Sequence, residues 1–373
     1  MSYAMLAAGG TGGHVFPAEA LAQSLMERGW RLGLVTDRRG HAYGGTLGSI
    51  ETFRIAAGGI AGRGLLSKLR GVAELALGVI QARALLKRER PQVVVGFGGY
   101  ASVPTMVAAT MLGIPTVIHE QNAVLGRANR LLAGRVKRIA TSYAHVAHVD
   151  EAWLPKLTHT GMPVRAAIAA LRDAPFPALS PDLSEHQPVH LLVLGGSQGA
   201  RILSEVIPAA LALLPEALRV RLKVAQQCRP EDLELVRAAY AAAAIEADLE
   251  SFFADVPERM SAAHLVIARS GASTMAELTA LGRPAILVPY PHAIDDHQTA
   301  NARAVDEAGG GWLMPQPAFT PEALASRLES LFTQPGTLAR AAGCARAAGR
   351  PDAAARLADL VAALPSNAKE SLV

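Results

Sequence analysis

The sequence predicts an α/β protein made of two parallel-sheet domains in tandem. Three observations carry that expectation. Short apolar β-type runs alternate with helical patterns along all 373 residues, as βα units do. A strand, a glycine turn and a helix open the chain in "MLAAGGTGGHVFPAEALAQSL", and the pattern restarts in "HLLVLGGSQGARILSEVIPAAL". Between the halves, residues 171–190 carry Pro175, Pro177, Pro181 and Pro188 among polar filler, a surface loop close to a domain join. The chain also exceeds one ordinary core, so two domains of roughly 150–200 residues are expected.

In the first half, strands are expected at about 3–8, 31–36, 93–96, 116–118 and 138–141, and helices at 17–28, 71–87 and 102–112. The second half should place strands from 190 and at 219–225, 250–254, 265–268 and 285–289. A last helix over 351–364 is expected to pack back on the first domain. The uncharged run 91–118 is broken by Gly98, Gly99, Pro104, Gly113 and Pro115. A bilayer span needs about 20 apolar residues in one helix, so this run reads as buried strand, loop, helix and strand.

Composition narrows the class. Half the residues are hydrophobic and 5% aromatic, which suits a helix-rich α/β protein. Cys228 and Cys344 lie far apart and suggest a reducing cytoplasm rather than a disulfide framework. The first residues lack a basic n-region, so no signal peptide is expected. Residues 1–160 hold 18 Lys and Arg against 9 Asp and Glu, while the chain as a whole carries +4. Much of this excess lies in 62–91, where Arg63, Lys68, Arg70, Arg83, Lys87, Arg88 and Arg90 flank an aliphatic stretch. That pattern suits either a solvated helix face or an anionic membrane surface. Nucleic acid is not expected, because base-stacking aromatics are missing there.

Three glycine turns, "GGTGGH", "GFGGYAS" and "GGSQGAR", stand where strands run into helices. Such turns offer N–H groups and the positive end of a helix dipole to a phosphate or diphosphate. The dinucleotide fingerprint fails, since Val15 stands where a third small residue belongs and Ser197 follows Gly195 at the second glycine position. A Walker loop fails as well, because no Gly-Lys pair occurs. No Asp-x-Asp is present to hold a divalent metal on a nucleotide. If a diphosphate leaves during a reaction here, helix N-termini and arginines must stabilise it, and no metal or other cofactor is expected. Polar residues cluster after apolar runs at His119–Asn122, Arg269–Glu277 and Asp295–Gln298.

The motifs "GGTGGHVFPA", "GFGGYASVP", "IHEQNAVLGRANR", "GGSQGAR", "ARSGASTMAEL" and "DDHQTANA", in this order, resemble the MurG family of bacterial glycosyltransferases, and the likeness runs over nearly the whole chain. The resemblance implies the GT-B architecture: two Rossmann-like domains with parallel sheets facing across a cleft. Residues 1–159 with 350–373 would bind the acceptor and the membrane, and 160–349 the UDP-sugar. It implies an inverting transfer of N-acetylglucosamine from UDP-N-acetylglucosamine to the 4-hydroxyl of undecaprenyl-diphosphate-linked muramyl-pentapeptide, lipid I. The enzyme would be peripheral, on the cytoplasmic face of the inner membrane. A UDP-sugar 2-epimerase or a diacylglycerol glycosyltransferase of the same superfamily is the alternative.

By motif, the resemblance brings Thr11, Gly12, Gly13 and Asn122 to the donor from the first domain, and Arg165 and Ser197 to its diphosphate. Phe253 would pack beside the uracil, and Ala272 to Glu277 would cover the nucleotide, with Glu277 on the ribose. Gln298 would bind the sugar, while Tyr100, His119, Glu120 and Asn129 belong to acceptor-side motifs. An inverting displacement needs one base on the acceptor hydroxyl. His14 and Glu120 are the candidates, and histidine titrates near neutral pH. Met162 and Ser204 stand where the family usually carries amides.

Overall fold

In the computed structural model the apolar runs of the described residues assemble into two sheets, one of seven strands and one of six, with every pairing among them parallel. The structure describes residues 2–9, 12–37, 45–57, 65–177, 179–180, 187–196 and 199–370, without the side chains of 65–69, 335 and 365–370. The chain divides into two units, Met1–Arg165 with Arg350–Val373, and Ala166–Gly349. The division falls at 165/166, where the sequence suggested 159/160. The proline-rich stretch thus begins inside the second unit, after the helix Ala166–Ala170.

The first unit holds β1 (Tyr3–Ala7), β2 (Arg31–Asp37), β3 (Glu51–Ile55), β4 (Val93–Gly96), β5 (Thr116–Glu120), β6 (Arg138–Thr141) and β7 (Leu157–His159). Their order is β3-β2-β1-β4-β5-β6-β7. β1, β4 and β5 are buried along their whole length, as parallel strands covered on both faces must be. Side chains alternate between faces. Leu6, Val93 and Val95 meet Leu21 and Leu25 of the helix Gly12–Glu27 on one side. Met5, Val94 and Ile118 meet Leu85, Leu86 and Met106 on the other. The C-terminal helix Ala353–Glu370 lays Leu357, Val361 and Leu364 into the first of these cores, at about 2 kcal/mol for each such side chain buried. Its Asp359 accepts from Arg28 at 2.7 Å, an exposed pair that adds little to that burial.

The second unit holds β8 (Val189–Leu194), β9 (Leu222–Gln227), β10 (Glu246–Glu250), β11 (Leu265–Ala268), β12 (Ala285–Leu287) and β13 (Gly311–Leu313), in the order β10-β9-β8-β11-β12-β13. Leu191, Val193, Val224, Ile267 and Ile286 form its core with Leu203 and Ile207 of the helix Arg201–Ala212 and with Leu324 and Leu328 of the helix Pro321–Thr333. Three corrections concern strands. The strand expected at 250–254 ends at Glu250 instead, because the chain turns into a loop there. β3 and β7 lie towards the rim of their sheet and bury little, so their sequences lack a run of apolar residues. β13 is three residues long and carries no periodic signal.

Candidate active site

In each sheet the strand order reverses once, between β1 and β4 and between β8 and β11. Open α/β sheets bind ligands beyond the carboxyl ends of the strands at such a switch point. The sequence places its glycine turns there: residues 8–13 follow β1, 97–99 follow β4, and 195–200 follow β8.

In the first unit the helix starts at Gly12, so Gly12, Gly13 and His14 form its first turn. A helix start at His14 or beyond is thereby corrected, because glycine tolerates the tight entry from the strand. Gly9 is confined: a Cβ there would lie 2.8 Å from Ala101 Cβ and 2.9 Å from Thr36 Oγ1. The His14 imidazole stands over the turn Gly98–Gly99. A Cβ on Gly98 would sit 3.4 Å from its Cε1 and 3.6 Å from Nδ1, and one on Gly99 3.5 Å from Nε2. Both glycines have positive φ, +82° and +70°, a region costly for other residues. Gly98 caps the helix Gly99–Met111 without a side-chain bond. Arg165 sets its guanidinium 5.3 Å from the ring centre of Phe16, on the helix that carries His14. Tyr100 is exposed beside this turn. Thr11 lies outside the described residues.

The polar residues that end β5 turn inwards. His119 is 0% exposed, with Nε2 3.1 Å from Gly161 O and Nδ1 3.2 Å from Gln121 Nε2. Burial, with the His14 charge as a lesser cause, lowers its pKa to about 4, so the ring is neutral. Glu120 is also buried. Its carboxylate accepts from Asn122 N at 3.0 Å, Gly126 N at 2.8 Å and Asn129 Nδ2 at 2.8 Å. Asn122 Nδ2 also reaches Glu120 at 3.3 Å. Asn129, 2% exposed, donates further to His119 O at 3.2 Å. His119, Glu120 and Asn129 therefore brace the loop beneath His14 and present no side chain to solvent. The run turns inwards because its partners are backbone N–H and C=O groups of the folded loop, which are not visible in the sequence.

In the second unit, Gly199 has φ +69° and lies under the stem of Arg229. Arg229 forks onto Asp232 with two bonds of 2.8 Å and holds that carboxyl below its ordinary range. Nothing in the sequence marks this brace. Ser197 lies outside the described residues. The helix Ala272–Leu281 begins after Gly271 with no side-chain cap, and no atom lies within 4 Å of a Cβ built on Gly271. Its N-terminus is open at Ala272, while Glu277 is buried one turn in. Ser270 donates to Gln298 O at 2.8 Å, and Asn301 Nδ2 donates to Ser270 O at 3.1 Å. Gln298 Oε1 accepts from Tyr290 N at 2.9 Å. Arg269 is occupied: it donates to Val288 O at 3.0 Å, Pro289 O at 2.8 Å and Gln316 Oε1 at 2.8 Å, and lies against the Tyr290 ring. It ties three loops together. Phe253 follows β10 at the sheet's other edge, buried, with the Arg259 guanidinium 4.2 Å from its ring centre.

Domain models, a curated relative and a crystal structure point to the same family. Residues 4–141 match the glycosyltransferase family 28 N-terminal domain, and residues 190–357 match the glycosyltransferase family 28 C-terminal domain. A relative from Paramagnetospirillum magneticum is 70% identical over 97% of this chain and 96% of its own length. It is named UDP-N-acetylglucosamine–N-acetylmuramyl-(pentapeptide) pyrophosphoryl-undecaprenol N-acetylglucosamine transferase. The crystal structure of Acinetobacter baumannii MurG is similar with a TM-score of 0.78 at 30% identity, over 97% of this chain and 99% of that one. A UDP-GlcNAc 2-epimerase from Neisseria meningitidis matches with a TM-score of 0.63 at 12% identity, over 96% and 99%, a likeness of fold alone.

Proposed function

The chain belongs to glycosyltransferase family 28 and, within it, to the MurG transferases, and from this premise we propose how its residues divide the reaction. It is an enzyme that moves N-acetylglucosamine from UDP-N-acetylglucosamine to the undecaprenyl-diphosphate-linked muramyl-pentapeptide of peptidoglycan synthesis. The acceptor's 4-hydroxyl attacks the anomeric carbon with inversion, so one bond forms as the bond to UDP breaks. His14 Nε2 takes the hydroxyl proton, and the negative charge leaves on the UDP diphosphate.

The observation that carries this reading is the His14 ring on the Gly98–Gly99 turn at the switch point of the first sheet. Its other candidate, Glu120, already accepts from three donors within 3.0 Å, so deprotonating a substrate would break bonds that shape the loop. The open N-terminus at Ala272 supplies N–H groups and the helix dipole to the nucleotide phosphates. Arg165, Thr11, Gly12, Gly13, Asn122 and Ser197 are assigned to the donor on the motif, as are Glu277 to the ribose, Phe253 to the uracil and Gln298 to the sugar. Tyr100, exposed near His14, is assigned to the acceptor. Labelled UDP-N-acetylglucosamine should be consumed only when the polyprenyl-diphosphate muramyl-peptide is added. Equal consumption without it would point to an epimerase and overturn the assignment.

The enzyme acts peripherally on the cytoplasmic face of the bacterial inner membrane. Among the described residues no helix is long and apolar enough to cross a membrane. The helix Leu65–Glu89 exposes Val72, Leu77 and Ile80 and carries Arg70, Arg83, Lys87 and Arg88 on its exposed positions. An apolar stripe with basic flanks suits an anionic lipid surface. Changing Lys68, Arg70, Lys87 and Arg88 to Glu should weaken sedimentation with phosphatidylglycerol vesicles, and unchanged sedimentation would remove this face. The Lys68 side chain lies outside the described residues.

A further inference from the structure

Asn129 leaves one polar atom unexplained. Its side chain is almost fully buried, and Oδ1 is buried with no hydrogen-bond partner among the described residues. A buried acceptor left unmade costs about 1–3 kcal/mol, and such exceptions ask for a reason. The amide cannot turn over to remove the problem. Nδ2 donates to Glu120 Oε2 at 2.8 Å and to His119 O at 3.2 Å, and a flipped amide would set Oδ1 against two acceptors. Glu120 thus holds Oδ1 in one orientation, and Gly126 N and Asn122 N hold Glu120.

His14 stands close by. The point where a Cβ would stand on Gly98 is 3.7 Å from Asn129 Nδ2 and 3.6 Å from His14 Nδ1. The opposite edge of the ring, with Nε2, lies over Gly99. Nδ1 itself is shielded from solvent. We propose that Asn129 is a positioning residue for His14: in the reacting complex its Oδ1 accepts the Nδ1–H of the imidazole, a bond that the two do not make with each other in this structure, and so presents Nε2, with its lone pair, to the acceptor hydroxyl. The bond fixes the tautomer that can act as base, and it steadies the imidazolium formed when Nε2 takes the proton. Glu120 acts one step further back, through Asn129. This assignment rests on the reading of His14 as the base.

Steady-state kinetics of Asn129→Ala, His14→Ala and the double variant, with the soluble donor and a polyprenyl-diphosphate muramyl-peptide acceptor, test it. In Asn129→Ala, kcat should fall at least about 10-fold, part of the 10²–10⁴ that a positioned base supplies. KM for UDP-N-acetylglucosamine should stay within about two-fold, because the donor is not touched. The acid limb of the pH–kcat profile should move to lower pH, since the imidazolium has lost an acceptor. Its position is independent of how much of the variant folds. On the His14→Ala background, Asn129→Ala should change kcat less than about two-fold, as groups acting as one unit do. An unmoved acid limb, an undiminished kcat, or the same loss on the His14→Ala background overturns the assignment. Full activity of His14→Ala alone would instead remove His14 as the base.

Discussion

At the scale of residues, Gly98 shows how much of the site is set by what is absent. Its φ of +82° and ψ of −171° lie in a region that is almost closed to residues with a Cβ. A Cβ would also press on the His14 ring at 3.4 Å. Gly98→Ala should therefore cost about 1–3 kcal/mol of stability. It should also lower kcat beyond what the loss of folded protein explains, because the imidazole must tilt. Thermal unfolding alongside kcat per folded molecule checks this, and an unchanged kcat would mean that the ring does not rest on the turn. The glycine turns were legible in the sequence, since a strand running into glycines and then a helix has few other uses. The partners were not. Nothing near His14 in the chain names Gly98, and nothing in "IHEQNAV" says that its polar groups face inwards.

Elements carry the same lesson in two helices with interior glycines. Gly to Ala in a helix ordinarily stabilises by up to about 1 kcal/mol. In the helix Pro335–Ala348, Gly343 is exposed and nothing lies within 4 Å of a Cβ built there, so Gly343→Ala should raise the melting temperature. Gly78, in the helix Leu65–Glu89, is buried against Ala56, and a Cβ would overlap the Ala56 carbonyl oxygen and stand 3.1 Å from Pro104 Cβ. The same loop is tied to this helix by Ala56 N donating to Gln81 Oε1 at 2.8 Å. Gly78→Ala should therefore lower the melting temperature, because overpacking against backbone outweighs helix propensity. Differential scanning calorimetry of the two variants decides it, and a rise in both would show that the helix can move off Ala56. Helical periodicity found the second of these helices in the sequence, over 71–87, and not the first. The close approach at Gly78 is a property of two elements together, and it leaves only a lone glycine as its trace.

For the whole molecule, the repeated strand, glycine turn and helix made the two parallel-sheet units legible. The last helix returns to the first unit, as expected. What could not be read is that each unit buries a neutral histidine. His119 in the first has its pKa lowered to about 4, mainly by burial. His264 in the second is lowered to about 4 by burial, with His190, Arg283 and Arg221 adding to it, and it stacks 5.6 Å from His190. A histidine depressed in the folded state favours folding fully above its unfolded pKa near 6.5. That share is lost as pH falls, because the unfolded chain takes up the proton first, and the loss ends near pH 4. For His119 the whole span amounts to about 3 kcal/mol at most, at 1.36 kcal/mol per pKa unit. Carboxylates titrate lower, with Asp near 3.9 and Glu near 4.3, so the window from pH 7 to 5 isolates the histidines. Urea unfolding in that window should show both units weakening in parallel. Trp30 and Trp153 report the first unit and Trp312 the second, so the two transitions can be followed apart. His119→Gln should reduce the pH dependence of the first transition, leaving the share of His159, which burial also lowers, and leave the second unchanged. If the first transition keeps its full slope, His119 is not the group that takes up the proton.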